Sequence, residues 1–560
     1  MDRIRLYAGT LRYLKLSQIV YFVRRRLCPS SIPKCREVLP PVRGKILIQS
    51  SPTGAQKSSA EHTLCFLNRK KTFSHDAVDW SSGEMPKLWR YNLHYFDYLN
   101  DPARSTPDKA QLVADWVLHV PAGMEDAWEP YTASLRIVNW IKFFNGDQVA
   151  VPPEWNKSLY HQALWLERNI EYHILANHYL KNGVALFFAG MYFQGDDADR
   201  WIETGLKILR EELEEQFLSD GGHYERSPMY HCICVMDYLD VLNVMGSSVG
   251  KRFREFDHFR TRMNRSLDFL HDICLPDGMI PLFNDSAIGI APAPDEIFRY
   301  AAQIIGYKRP QSNLARVAIE KPQSGYFALR NRNDMMVIDC GDIGPTYQPG
   351  HAHCDTLSYE LAIDGRRVIV DSGIYDYQPS PQRRYARSTR AHNTVEIDGQ
   401  EQSEMWGVFR VAQRARALHA YARIESDNRL IFEGSHNGYR RISGGLVHTR
   451  SIEYDGHSCW QVRDRIEGTG KHIARNYIHL HPDLHACLDG SSVSVRDRSG
   501  RAVVIIEACD QSEIALAEGD YYPEFGREMK NASIICTRAA DAPMMLGYRI
   551  TKIDSIQTIQ

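Results

Sequence analysis

The sequence predicts an α+β protein of more than one domain, with a helical N-terminal half and an antiparallel β-sheet C-terminal half. Three observations carry this reading. The chain has 560 residues, and a single core stops growing near about 250–300 residues. Up to about residue 318, apolar side chains recur every three or four positions. Beyond about residue 320 they alternate with a period of two.

In the first half, "DKAQLVADWVLHV", "ASLRIVNWIKFFN", "EWNKSLYHQALWLERNIEYHIL", "DRWIETGLKILREELEEQFL" and "MYHCICVMDYLDVLNVM" read as helices. Clusters of Pro, Gly and Asp such as "VPAGMEDAWEP", "QGDDAD" and "LSDGGH" separate them. Many helices in series suggest helical hairpins stacked into a solenoid or a closed toroid, and no sequence repeat decides between these. In the second half, short runs such as "DMMVIDCG", "TLSYELAIDG", "RLIFEGSH" and "CWQVRDRIEG" read as strands. "DG" recurs at 364–365, 398–399, 455–456 and 489–490, which suits tight turns between antiparallel strands. The expected domains are a helical extension over 1–75, a helical domain over 76–318 and an antiparallel sandwich or stack of sheets over 319–560, joined near Lys321–Ser324.

Composition narrows the functions. The chain is 43% hydrophobic and 24% charged with a net charge of −2, so no global basic field invites nucleic acid. An anionic ligand must be held by a local cluster of arginines. Twelve cysteines are scattered without a CxxC pair, as expected of reduced, buried thiols. The opening "MDRIRLYAGTLRYLKLSQIVYFVRRRLCPS" is a poor signal peptide, because Lys15 and Ser17 break its apolar core. No run reaches the ~18 apolar residues of a membrane span. The segment reads as a basic amphipathic helix, either packed on its own domain or lying peripherally on a membrane surface. The expected location is therefore cytoplasmic or peripheral to a membrane.

Four clusters can carry chemistry. "HAHCD", "VDSG" and "RRYARSTRAHNTVEIDG" bring His351, His353, Asp355, Asp371 and His392. His353, Asp371 and His392 lie 18 and 21 residues apart, about a strand and its return, so adjacent strands can unite them. Two imidazoles and a carboxylate suit Zn²⁺, although hydrogen-bonded histidines at strand ends also satisfy the spacing. "NIEYHILANHYLKN" holds His173, Asn177, His178 and Asn182; on one helix 173 and 177 share a face, and 178 and 182 the next. "LSDGGHYERSPMYHCI" holds His223, Tyr224, Glu225, Arg226, Tyr230 and His231, with Ser227 and Pro228 as a helix start. Finally Trp89, Tyr91, Tyr95, Trp128, Tyr131 and Trp140 can stack on sugar rings or simply fill a core. Arg136 and the run Arg383, Arg384, Arg387 and Arg390 can hold carboxylates in bidentate pairs.

Taken in this order, "NHYLKN", "DGGHYERSPMYH", "GHAHCDTLSYEL", "VDSG" and "AHNTVEIDGQEQSE" resemble the heparinase II/III family of polysaccharide lyases. The resemblance implies an incomplete (α/α) toroid followed by an antiparallel β domain, with a cleft between them. It implies β-elimination on an anionic uronic-acid polysaccharide or oligosaccharide and a bacterial origin; the poor export signal then fits an enzyme kept near the cell's own capsule or exopolysaccharide assembly. The C5 proton of a uronate is poorly acidic while the carboxylate is charged, so a neutral donor must bind that carboxylate. By resemblance Asn177 matches this neutraliser, with His178 beside it. Tyr230 matches the tyrosine that protonates the leaving oxygen and also removes the proton on one substrate face; His351 matches the base on the other face. Arg226 or His231 are the expected cationic neighbours of Tyr230. Trp89, Tyr91, Trp128, Arg136, Arg226, His231 and Arg387 are the expected substrate contacts. His353, Asp371 and His392 match a structural zinc site, and no organic cofactor is expected. One departure is Lys181, where many relatives carry a glutamate. Two other functions use the same residues: a uronyl C5-epimerase on this fold, and a non-catalytic glycan-binding protein of a polysaccharide assembly locus.

Overall fold

The computed structural model describes residues 3–28, 31–34, 38–47, 49–52, 63–73, 78–146, 149–247, 253–311 and 316–553. Four helices, Lys87–Tyr95, Pro130–Phe144, Ala176–Tyr192 and Pro228–Ser247, pack side by side in chain order. Outside them run Thr106–His119, Pro153–Arg168, Asp196–Gln216 and Phe256–Ile273. Inner and outer helices thus alternate along the chain, as in an incomplete (α/α) toroid. Prolines stand in the first turn of the helices starting at 130, 153 and 294, where the missing N–H costs nothing. The inner Ala176–Tyr192 helix is buried nearly all round, whereas the outer Asp196–Gln216 helix buries one stripe, including Trp201, Ile208 and Leu213. These two approach closely at Gly205, where a Cβ would lie 2.7 Å from the Phe187 amide nitrogen.

The sheet half has three main antiparallel sheets, of five, eight and four strands. The five-stranded sheet, Val317–Lys321 to Arg366–Ile369, is covered on both faces. Phe327, Leu329, Met336 and Ile338 pack on Phe432, Ile452 and Val462 of the eight-stranded sheet. Tyr326, Ala328 and Val337 pack on Phe269 and Ile273 of the last outer helix. This explains why Asp334–Asp339 is buried at every position and reads as an almost unbroken apolar run. Three of the four "DG" pairs lie between strands and the fourth begins on the last strand residue, Asp489; Asp364 and Gly365 form the two-residue loop of a hairpin with φ of 50° and 82°.

Two boundaries differ from expectation. The last helix before the sheets ends at Ile305 and the first strand of the sheet half starts at Val317, so Lys321–Ser324 falls at the turn after that strand. Among its described residues the extension is helical over Arg3–Leu11 and Leu16–Leu27, and a hairpin, Thr63–Phe66 with Arg69–Thr72, follows. Its expected end at residue 75 lies outside the described residues.

Candidate active site

A cleft of about 690 Å³ runs between the inner helices and the loops that leave the five-stranded sheet. Its helical wall repeats at helical spacing: Tyr131, Leu135, Val138 and Lys142; Asn177, Lys181 and Val184; Tyr230, Ile233, Asp237 and Asp240. Its other wall is Gln348, Gly350, His351, Tyr377 and Phe409. Asn177, His178, Tyr230 and His351 therefore face one space.

Local chain chemistry fixes each of them. Leu175 and Ala176 have φ of 65° and 55°, and the helix starts only at Ala176. Asn177 and His178 thus sit in its first turn, at the cleft, and His173 lies before the helix rather than on a shared face. Ser227 caps the next inner helix, accepting from the Tyr230 amide at 3.2 Å. The Ser227 hydroxyl also donates to the Asp285 carbonyl at 2.7 Å, which ties that helix start to the loop after the last outer helix. From that loop, Asn284 accepts from the His353 amide (3.0 Å), and the Asn284 amide donates to Asp355 (2.8 Å).

The Tyr230 and His351 rings stack with centroids 4.0 Å apart. The Tyr377 hydroxyl lies 3.2 Å from the Tyr230 hydroxyl and 3.4 Å from His351 Nδ1. Asn177 Nδ2 donates to Glu225 Oε1 at 3.2 Å, and Glu225 Oε2 is 3.5 Å from His351 Nε2. One buried carboxylate thus stands between the amide and the imidazole. Burial raises the Glu225 pKa above its usual range, although His351 and Asn177 oppose this. Burial also pushes the Tyr230 and Tyr377 hydroxyls well above 10.0.

Asp285 organises the loop wall. Its Oδ2 accepts from His351 Nδ1 and its Oδ1 from His353 Nε2, both at 2.8 Å, and Arg383 pairs with it in a fork. Burial alone would raise this carboxyl, but Arg383 and the two histidines hold it well below 3.8. An ionised Asp285 places the Nδ1 proton of His351 on its own side and leaves Nε2 as the basic nitrogen toward Glu225 and the cleft.

Behind His351, the His353, Asp355 and His392 side chains are all buried and bring three ligand-type atoms within 4.8 Å of one another. His353 Nδ1 and His392 Nε2 are buried without a hydrogen-bond partner, as expected of nitrogens reserved for a cation. The opposite nitrogens are held by carboxylates: His353 Nε2 by Asp285 and His392 Nδ1 by Asp371 at 2.7 Å. Residues present therefore fit a metal, and the expected ligand set changes in one member. Asp355 is the carboxylate within reach of both imidazoles, and Asp371 is already bonded to His392 Nδ1, where it orients the ring.

Models of the heparinase II/III N-terminus and the heparinase II/III-like C-terminal domain match residues 53–304 and 315–550. The chain belongs to the heparinase II/III family. A heparin-sulfate lyase of Pedobacter heparinus is 24% identical over 75% of this chain and 66% of its own length. The chain thus spans just under two thirds of that relative. FtsZ-localized protein C of Caulobacter vibrioides is 24% identical over 76% of this chain and 75% of its own. The crystal structure of heparinase III superposes with a TM-score of 0.68 at 18% identity, covering 86% of this chain and 80% of that one, which establishes the shared fold.

Within this heparinase II/III fold, most of the expected substrate contacts are elsewhere. Of that set only Tyr91 lines the cleft, with its hydroxyl donating to Glu129. Trp89 points the other way on the same helix, is fully buried and donates to the Arg69 carbonyl at 2.9 Å. Trp128 packs edge-on to His161 and Trp165. Arg136 is fully buried, bonded to Gln162 at 2.8 Å, and burial lowers its pKa to about 9. His231 is held by the Ser266 carbonyl at 3.0 Å and Arg226 by the carbonyls of Ser324 and Gly344, so neither is the cation beside Tyr230. Arg387 is buried against the carbonyls of Ala352 and Val408. Tyr95 and Tyr131 do line the cleft, whereas Trp140 is core. Asp285, Tyr377 and the bridging position of Glu225 lie outside the expected site. Glu225 stands inside a recognised cluster, but nothing local marks Asp285 in "LFNDSA" or Tyr377 in "IYDYQP".

Proposed function

We propose that this protein is a polysaccharide lyase that cleaves a uronic-acid-containing glycan by β-elimination. One observation carries the reading: a neutral amide, a phenol and an imidazole, Asn177, Tyr230 and His351, open onto one cleft and are linked through Glu225 and Tyr377. Asn177 donates to the uronate carboxylate and stabilises the charge that develops there. His351 Nε2 takes the C5 proton, the C4–O4 bond breaks as the C4–C5 double bond forms, and Tyr230 gives its proton to O4. Burial keeps the Tyr230 proton on, which suits an acid. His351 then carries an extra proton on Nε2 and Tyr230 lacks one; exchange with solvent through the open cleft as the products leave returns both to their starting states. A Glu225 that holds its proton above the usual range also repels the incoming carboxylate less.

The cleft's charges favour a sparsely sulfated glycan. Lys87, Lys142 and Lys181 are each paired with a carboxylate, Glu129, Asp240 and Asp237, at 2.8, 2.6 and 2.6 Å. Its described lining contains no arginine, the residue best suited to sulfate groups. Polymers of the cell's own capsule or exopolysaccharide are the natural class. Zn²⁺ is the cation that suits two imidazoles and a carboxylate. Held by His353, Asp355 and His392, it would tie the strand ends beneath His351 and supply structural support.

The test is incubation with unsulfated and sulfated uronic glycans in heavy water. Ultraviolet-absorbing unsaturated ends, strongest on unsulfated polymers, are the expected result. Intact chains carrying deuterium at C5 would replace the lyase by an epimerase. No product and no exchange on any uronate, with binding retained, would make it a glycan-binding protein.

A further inference from the structure

The Leu16–Leu27 helix is amphipathic in the wrong sense for a helix that belongs only to its own fold. Gln18, Tyr21 and Arg25 dock it on the helical domain. Gln18 is buried and donates to the Ile174 carbonyl, Tyr21 stacks on Tyr172 at 4.7 Å, and Arg25 meets His173 at 3.3 Å. At about 100° per residue, these three lie within about 60° of one another. Leu16, Val20, Val23 and Leu27, spaced i, i+4, i+7 and i+11, form a stripe about 180° away. That stripe faces water: the four side chains are 75%, 53%, 46% and 76% exposed. Ile19, on its edge, is 42% exposed.

Charge frames the stripe. Arg24 and Arg26 fall on its two sides, both exposed, and among the described residues neither is paired with a carboxylate. Residues 3–28 contain seven Lys or Arg and no Asp or Glu. The preceding helix, Arg3–Leu11, is anchored separately on the sheet half. Arg5 pairs with Glu404 at 3.0 Å, Tyr7 packs edge-on to Trp406, and Thr10 accepts from the Trp406 indole at 3.1 Å. The two helices thus fasten to both halves and leave a fixed apolar ridge outward, near the cleft, since Ile174, whose carbonyl holds Gln18, lines it.

We propose that this ridge docks the protein on an anionic lipid surface. An apolar stripe flanked by arginines matches an interface of acyl chains beneath negative headgroups. A protein partner would need acidic complementarity to the same arginines, and two copies meeting ridge to ridge would bring like charges together, because residues 3–28 carry seven Lys or Arg and no acid. Docking here holds the cleft at the membrane, where nascent exported glycan would pass.

The experiment is flotation of the full chain with phosphatidylcholine vesicles and with vesicles containing about one third phosphatidylglycerol. Binding at least about tenfold stronger to the anionic vesicles is expected. Val20→Glu with Val23→Glu should lower it at least about tenfold, without moving the thermal midpoint, because both positions are exposed. Leu27→Glu, at a 76% exposed site, should repeat the loss in a position remote from the docked face. Absence of binding to anionic vesicles, or binding indifferent to these variants, overturns the proposal. So does concentration-dependent self-association that the same variants abolish, which would put a second copy on the ridge.

Discussion

The two walls of the cleft are built by different means. The helical wall presents side chains at fixed spacing and meets its charges one to one, as in Lys181–Asp237 and Lys142–Asp240. The loop wall has no spacing; its His351 is held by a buried carboxylate that also grips His353 and Arg383. The contrast separates a regularly spaced surface, which also carries Tyr230, from the network-held seat of His351. A neutral, regularly spaced surface can accept a sugar chain, while the group that must keep one tautomer and one position is locked by a network inside the protein.

Variants can break each wall in turn. Tyr230→Phe removes the proposed acid where the walls meet and should lower kcat by about 10²–10⁴ with glycan affinity nearly kept; a raised KM with kcat intact would contradict the role. Asp285→Asn leaves the shape but frees the His351 tautomer, and should cost about 10² in kcat with little change in KM. His392→Ala strikes behind the loop wall. Elemental analysis should find the bound metal lost, and the protein should be destabilised by about 3–5 kcal/mol because Asp371 is left buried and unpaired. Full metal content in that variant would move the site elsewhere.

The smallest effect concerns Glu225, which touches both walls. Its carboxyl is raised above 4.5 by burial, so the native protein binds more protons than the unfolded chain just above that pH. This contribution to stability is complete below 4.5 and is lost as pH rises through the native value. Denaturant titrations should show that decline, and Glu225→Gln should flatten it.

How much of this was legible in the sequence follows from the same contrast. Period-two and period-3.6 patterns located the two halves, and "DG" pairs located four turns, because each reports on a few neighbouring residues. Asn177, Tyr230 and His351, which share the cleft, could be singled out through motifs, each near a helix start or in a loop between strands. The aromatic and arginine contacts failed for a physical reason. Trp89 and Tyr91 are two residues apart on a helix and so face opposite ways, and composition does not say which face is the core. Arg383 and Arg387 were visible as a charged run, but their targets, Asp285 and the carbonyls of Ala352 and Val408, are set by tertiary packing. Asp371 was correctly grouped with His392, yet ligand and outer partner differ only by which nitrogen of the ring is already occupied.

The most direct measurement is a crystal structure of Tyr230→Phe with an unsulfated uronate oligosaccharide. The sugar's C5 is expected within about 3–3.5 Å of His351 Nε2, with the carboxylate on Asn177 Nδ2 and O4 facing the edge of the substituted ring at position 230. A uronate bound with its carboxylate away from Asn177, or with C5 out of reach of the imidazole, would contradict the account.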